Sequence, residues 1–273
     1  VARDISDTTI GSIPNQTYTD NSISALPVIT YNGATLTKGT DYTLTYSNNV
    51  NVGTGTVTIT GKGNFKGTTS KTFSISARAM SDTSVANISS QTYTGNVISP
   101  LPTITYNNKT LKKDTDYTLS YSNNINAGTA TITITGKGNF TGTTSKTFSI
   151  SARAMSDTSV ANISSQTYTG NVISPLPTIT YNNKTLKKDT DYTLSYSDNI
   201  NAGTATITIT GKGNFTGMTS MTFIITQKSA EKLNISEIAN QIYTGKKIKP
   251  NVVITDTERW GAWWEYLINS VSL

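Results

Sequence analysis

Apolar and polar side chains alternate along much of this chain. In Thr129–Thr135 (TATITIT) the alternation is strict, which puts Ala130, Ile132 and Ile134 on one face and the threonines on the other. Tyr117, Leu119 and Tyr121 follow the same period, as do Phe148 with Ile150 and Ile104 with Tyr106. These runs predict half-buried strands. Between them, Ser122–Gly128 and Gly136–Asn139 are rich in Asn and Gly, which tolerate the positive φ of tight turns. Pro100 and Pro102 flank Leu101, and proline cannot donate to a ladder, so that stretch predicts an edge or the start of a strand. Short strands broken by turn signals every ~8–12 residues are the pattern of a two-sheet sandwich.

The pattern recurs at a fixed offset. Gln16-Thr17-Tyr18-Thr19 returns at Gln91, at Gln166 and, as Gln-Ile-Tyr-Thr, at Gln241, always 75 residues on. Asp41-Tyr42-Thr43-Leu44 returns at Asp116 and Asp191, and Gly61-Lys62-Gly63-Asn64-Phe65 at Gly136 and Gly211. The expectation is an all-β fold: tandem sandwich domains in an elongated array, at residues 1–79, 80–154 and 155–229. Residues 230–273 are read as a truncated fourth repeat with a foreign tail. Short linkers are expected near Ala77–Ser81, Ala152–Ser156 and Gln227–Glu231. Ile132, Ile134, Leu119, Phe140, Phe148 and Ile150, with their counterparts, are the expected core. In the tail, Trp260, Trp263, Trp264, Leu267 and Val271 recur at helical spacing, and Thr255 with Glu258 fits a capping box. This predicts a short C-terminal helix that covers the open core of the fourth repeat.

Composition sharpens the picture. Thr, Ser, Asn, Tyr and Ile favour pleated strands, and Glu is absent before Glu231. The net charge is +6, but the lysines are spread along each repeat (Lys109, Lys112, Lys113, Lys137, Lys146). Such spacing describes a solvated basic face, not a nucleic-acid site, which needs clustered charge and aromatic platforms. No apolar stretch approaches the ~20 residues of a membrane span. With no His and no Cys, triad and thiol catalysis and the usual zinc ligands are excluded.

The stretch Tyr93-Thr94-Gly95…Tyr106-Asn107-Asn108-Lys109…Asp116-Tyr117…Gly136-Lys137-Gly138-Asn139-Phe140 resembles the tandem bacterial immunoglobulin-like repeats of Gram-positive secreted and cell-surface proteins. The resemblance covers residues 1 to about 255. It implies an extracellular, monomeric stalk, with any host or cell-wall ligand held by flanking domains. A second reading is a binding module for a host glycan or protein, or an accessory domain of a secreted carbohydrate-active enzyme. An exposed aromatic patch outside the core pattern would favour it.

Four groups of residues invite chemistry, and each has a plainer reading. Asp114 and Asp116 could act as acid and base, but Gly39 stands in place of Asp114 in the first repeat, and a turn role for Asp116 fits better. Asp114, Asp116, Asn123, Asn124 and Asn126 offer oxygens to calcium without the spacing of a calcium loop. Lys71 and Lys146 could enter a Lys–Asn isopeptide bond, yet Met221 takes their place in the third repeat, which suits lysines that snorkel. Tyr93, Tyr106, Tyr117 and Tyr121 could stack on sugars, or serve as core and cross-strand pairs. No catalytic, cofactor or metal residue is assigned, and the chain is expected not to be an enzyme.

Overall fold

The computed structural model describes residues 1–256, so the helix expected around Trp260–Val271 and Glu258 of the expected capping box lie outside the described residues, while Thr255 closes a short strand. The regular elements among the described residues are all strands or 3-10 turns. The first repeat shows the plan: β1 (Arg3–Asp4), β2 (Thr9–Ile10), β3 (Gln16–Thr17), β4 (Ile29–Tyr31), β5 (Ala34–Thr35), β6 (Tyr42–Ser47), β7 (Gly53–Gly61), β8 (Phe65–Lys66) and β9 (Thr68–Ser76). A four-stranded sheet in the order β3-β9-β7-β6 faces a three-stranded sheet, β2-β4-β5, and β1 pairs in parallel with β8. The chain clusters into two compact units. One holds Val1–Gln91 and Asn96–Ile150, the other Thr92–Gly95 and the residues from Ser151 onward.

The alternation read from the sequence sets the register. In the second repeat's counterpart of β7 (Gly128–Gly136), Ala130, Ile132 and Ile134 are fully buried, whereas Thr131 and Thr133 are only half-buried and Thr135 is exposed. Phe140, Phe148 and Ile150 complete the same core, and the third repeat repeats it with Ile207, Ile209, Phe215, Phe223 and Ile225. Burying each such side chain stabilises by roughly 1.5–3 kcal/mol.

Leu119 corrects the expectation. It is half-buried, while Tyr117 on the same face is buried. Its strand, Tyr117–Ser122, is the edge of the four-stranded sheet, so one side has no neighbour. Two of the three expected linkers, Ala77–Ser81 and Ala152–Ser156, are also corrected. Arg78 and Ala79 pair in parallel with Phe140 and Thr141, and Met80 at the start of the following 3-10 turn has no exposed surface. Met155 repeats this in the third repeat. A side chain of that size in the core holds what the sequence presents as connecting chain.

The recurring Gly-Lys-Gly-Asn-Phe has a steric cause. At Gly136 a Cβ would lie 2.6 Å from the Thr141 nitrogen, because the chain turns back there and Gly136 N–H donates to the Gly142 carbonyl. Gly138 then sits at φ 64°, which glycine adopts without strain.

Candidate functional site

The groups singled out for chemistry serve the fold. Asp114 lies at φ 68°, and its counterpart Gly39 at φ 89°, so the position is a left-handed turn that Asp and Gly both tolerate. The Asp116 carboxylate accepts the Lys112 N–H at 2.8 Å, and the Lys137 ammonium bonds the Asp114 carbonyl at 2.6 Å. Asn124 donates its amide to the Ile98 carbonyl while its own carbonyl accepts the Ile98 N–H. Among the described residues, no three Asp or Glu side chains come together as metal ligands would. Lys71 and Lys146 are half-buried opposite Val57 and Ile132, where Met221 packs against the third repeat's core. Tyr117 is core, and the Tyr121 hydroxyl donates to the Pro100 carbonyl at 2.8 Å.

Tyr93 and Tyr106 belong to a different structure, a socket that takes a tyrosine from the preceding repeat. In the first unit the donor is Tyr18, which follows β3. Its N–H is fixed by the Ser76 carbonyl, and Asp20 turns the corner at φ 67°. The Tyr18 ring stacks on Tyr106 at 6.3 Å and 29°, and meets Phe140 edge-on at 5.5 Å and 75°. Tyr106 and Phe140 are themselves edge to face at 5.5 Å and 81°. The Arg78 guanidinium lies 5.7 Å above the Tyr106 ring and donates to the Tyr18 carbonyl at 3.1 Å. Asn107 donates to the Thr19 carbonyl, and the Asn139 side chain both accepts the Val52 N–H at 2.9 Å and donates to Asn51 at 3.0 Å. Lys109 reaches Asp20 at 2.6 Å.

The second unit contains the same arrangement. Tyr93 stacks on Tyr181 at 6.2 Å and 27° and meets Phe215 at 5.5 Å and 76°. Arg153 lies 5.5 Å above Tyr181 and donates to the Tyr93 carbonyl at 3.1 Å. Asn182 and Lys184 bond the carbonyls of Thr94 and Gly95. Each aromatic pair contributes about 0.5–1.5 kcal/mol beyond its buried area. Burial pushes the Tyr18 and Tyr93 hydroxyls above the usual tyrosine range, and at Tyr18 the hydrogen bond to Asp20 adds to it. The Lys109 ammonium holds the Asp20 carboxyl below the ordinary range. The assembly grips a side chain.

The fourth repeat changes the chemistry at the same place. Lys228 stands where Arg78 and Arg153 stand, Asp256 where Tyr106 and Tyr181 stand, and the two form an ion pair at 2.6 Å with Lys228 almost buried. They line a cavity of about 370 Å³ with Tyr168, Ala202, Gln227 and Leu233.

No family model matches the chain. No curated protein matches it either. Among solved structures, it aligns with the protocadherin gammaB7 EC3-6 cis-dimer at 9% identity, over 87% of this chain and 77% of that one, with a TM-score of 0.18. A likeness that distant carries no argument, and the fold rests on the strand pairing described above.

Sequence reasoning singled out the tyrosines and missed the socket, with Arg78, Asn107 and Asn139 among its parts. One signal was available. Arg, Tyr and Phe recur together at the 75-residue offset, and the first two change together to Lys228 and Asp256.

Proposed function

We propose that this chain is a spacer array of a bacterial secreted or cell-surface protein, which sets a distance between the cell and a domain outside the array. The observation that carries this reading is the socket built twice with one geometry, Tyr18 on Tyr106 and Phe140, then Tyr93 on Tyr181 and Phe215. Within the first unit, where the second repeat grips the corner of the first, the socket limits bending at that joint. In this reading the array has no catalysis of its own, and ligands belong to flanking domains. The extracellular location and Gram-positive origin follow the resemblance of the repeats. Among the described residues no helix is long and apolar enough to cross a membrane.

Stretching single molecules tests this. Three repeats unfold one at a time, each releasing about 250–270 Å of chain, from 75 residues at roughly 3.3–3.6 Å. A featureless extension without separate force peaks overturns the spacer reading.

The binding-module alternative finds support in Val97, Leu101, Val172 and Leu176, all well exposed and apolar, which would suit a protein ligand. The aromatic patch that a glycan would need is missing from residues 1–229, where every Tyr and Phe is buried or half-buried.

A further inference from the structure

Each socket holds two phenols against one another. Tyr18 and Tyr106 stack with ring centroids 6.3 Å apart and planes at 29°, and Tyr93 and Tyr181 at 6.2 Å and 27°. Among the described residues these are the two places where one tyrosine ring stacks on another. Phe140 and Phe215 stand edge-on at 5.5 Å and confine each pair without a hydroxyl of their own. Tyr18 is buried, but Tyr106, Tyr93 and Tyr181 are half-buried, so each pair keeps an opening to solvent. The chain has no cysteine, so no disulfide of its own ties a corner to its socket.

We propose that these two pairs are sites of oxidative cross-linking, at which a haem peroxidase working with hydrogen peroxide joins Tyr18 to Tyr106 and Tyr93 to Tyr181 as dityrosine. Each phenol gives up one electron and its hydroxyl proton and becomes a phenoxyl radical. The two radicals combine through a carbon–carbon bond between ring positions next to the hydroxyls. The hydrogen on each bonded carbon then moves to its oxygen and restores the phenol. One hydrogen peroxide takes up the two electrons and two protons and leaves as two waters, so the protein loses two hydrogen atoms per link. Free tyrosines must meet by diffusion, whereas here one ring has only to slide over the other within the stack.

The pairs differ in one respect. The Tyr18 hydroxyl donates to the Asp20 carboxylate at 3.2 Å, and that carboxylate can take the proton as the electron leaves. In the second unit Gly95 stands at the place of Asp20, and the Tyr181 hydroxyl donates to the Tyr93 carbonyl at 3.4 Å, which is no base at neutral pH. The first pair therefore couples faster. Either link ties residues 88 apart across the joint of two repeats. The inference rests on the geometry of the socket and is independent of the spacer reading.

The test treats the 273-residue chain, dilute enough that chains seldom meet, with a haem peroxidase and hydrogen peroxide, and treats free tyrosine alongside as a control for the oxidant. Dityrosine fluorescence appears in a product that still migrates as a single chain. Peptide mapping by mass spectrometry joins Tyr18 to Tyr106 and Tyr93 to Tyr181, the first pair earlier than the second. Tyr106→Phe and Tyr181→Phe each delete their own link while keeping a ring in the stack, with a nearly unchanged melting temperature. The chain carrying both changes yields about tenfold less dityrosine, because no other described tyrosines are stacked in a pair. Asp20→Asn slows the first link toward the pace of the second. No dityrosine under conditions that couple free tyrosine overturns the proposal. Dityrosine that persists undiminished in the doubly changed chain, or that appears only in products of two or more chains, overturns it as well.

Discussion

The second and fourth repeats contain the same small ladder in the same register. Val85 pairs with Ile104 in one, and Ile235 with Ile254 in the other. Their surroundings differ. Ile104 is fully buried and Val85 half-buried, while Ile254 is half-buried and Ile235 is 65% exposed. The second repeat continues into Tyr117–Ser122, Gly128–Gly136 and Thr143–Ser151, the strands that lay a second sheet over the ladder. The fourth departs from the repeat after Thr255. Its 3-10 turn has Ala230 where Met80 and Met155 are buried, and that turn buries nothing. Alternation thus suffices to make a local ladder, whereas a core needs the facing sheet.

Three measurements can break or sharpen this comparison. The largest effect is expected in the ladder itself. Ile104→Ala costs about 2–5 kcal/mol, the usual range for emptying a packed site. Ile254→Ala, at the matched position, stays within about 0.5 kcal/mol, as at an ordinary surface site. Urea titration of both variants reads the difference, and equal losses would mean that the fourth repeat has a core after all.

A pH effect comes next. Burial raises the hydroxyl pKa of Tyr42, Tyr46, Tyr117, Tyr121, Tyr192 and Tyr196, as it does at the two socket tyrosines. A group whose folded pKa exceeds its unfolded value near 10 gives its full stabilisation below pH 10 and loses it as pH rises through the folded value. The melting temperature of the three full repeats should therefore hold to about pH 10 and fall above it. A melting temperature that stayed level to pH ~11.5 would contradict the burial of these rings.

The smallest effect is at the joint. Arg78→Lys installs the residue that the fourth repeat uses, while Tyr106 remains in place of an aspartate. It loses the planar fork that covers the ring and bonds the Tyr18 carbonyl, a cost of about 0.5–1 kcal/mol. Thermal melts resolve it, and no change at all would mean that Arg78 only fills space.

How much of this was legible beforehand depends on distance along the chain. The face shared by Ala130, Ile132 and Ile134 follows from a period of two, and the Asp114 turn from Gly39 at the matched position. Leu119 was misjudged because alternation identifies a face without saying that its strand is a sheet edge. Met80 reads as linker because one large apolar residue between Ala79 and Ser81 has no period. The socket joins Tyr18 to Tyr106, 88 residues on, through side chains that each have an adequate local explanation. Only the joint replacement of the Arg78 and Tyr106 positions, by Lys228 and Asp256 in the fourth repeat, marks that pair as partners.

The pairing of β1 with β8 also governs how the chain must be made. Arg78 finds its partner in Phe140, 62 residues later. A repeat leaving the ribosome therefore cannot close until almost all of it has been synthesised, and it waits with Met80 and its strand edges uncovered. Such non-local closure is slow. The delay carries a particular hazard here, because Gly136–Thr141 recurs unchanged at Gly211–Thr216, and the third repeat presents Phe215–Thr216 as an equally good mate for Arg78–Ala79. Order of synthesis resolves the ambiguity, since the correct partner emerges 75 residues before the wrong one. Refolding from denaturant removes that order, and exchanged strands between neighbouring copies become the characteristic error.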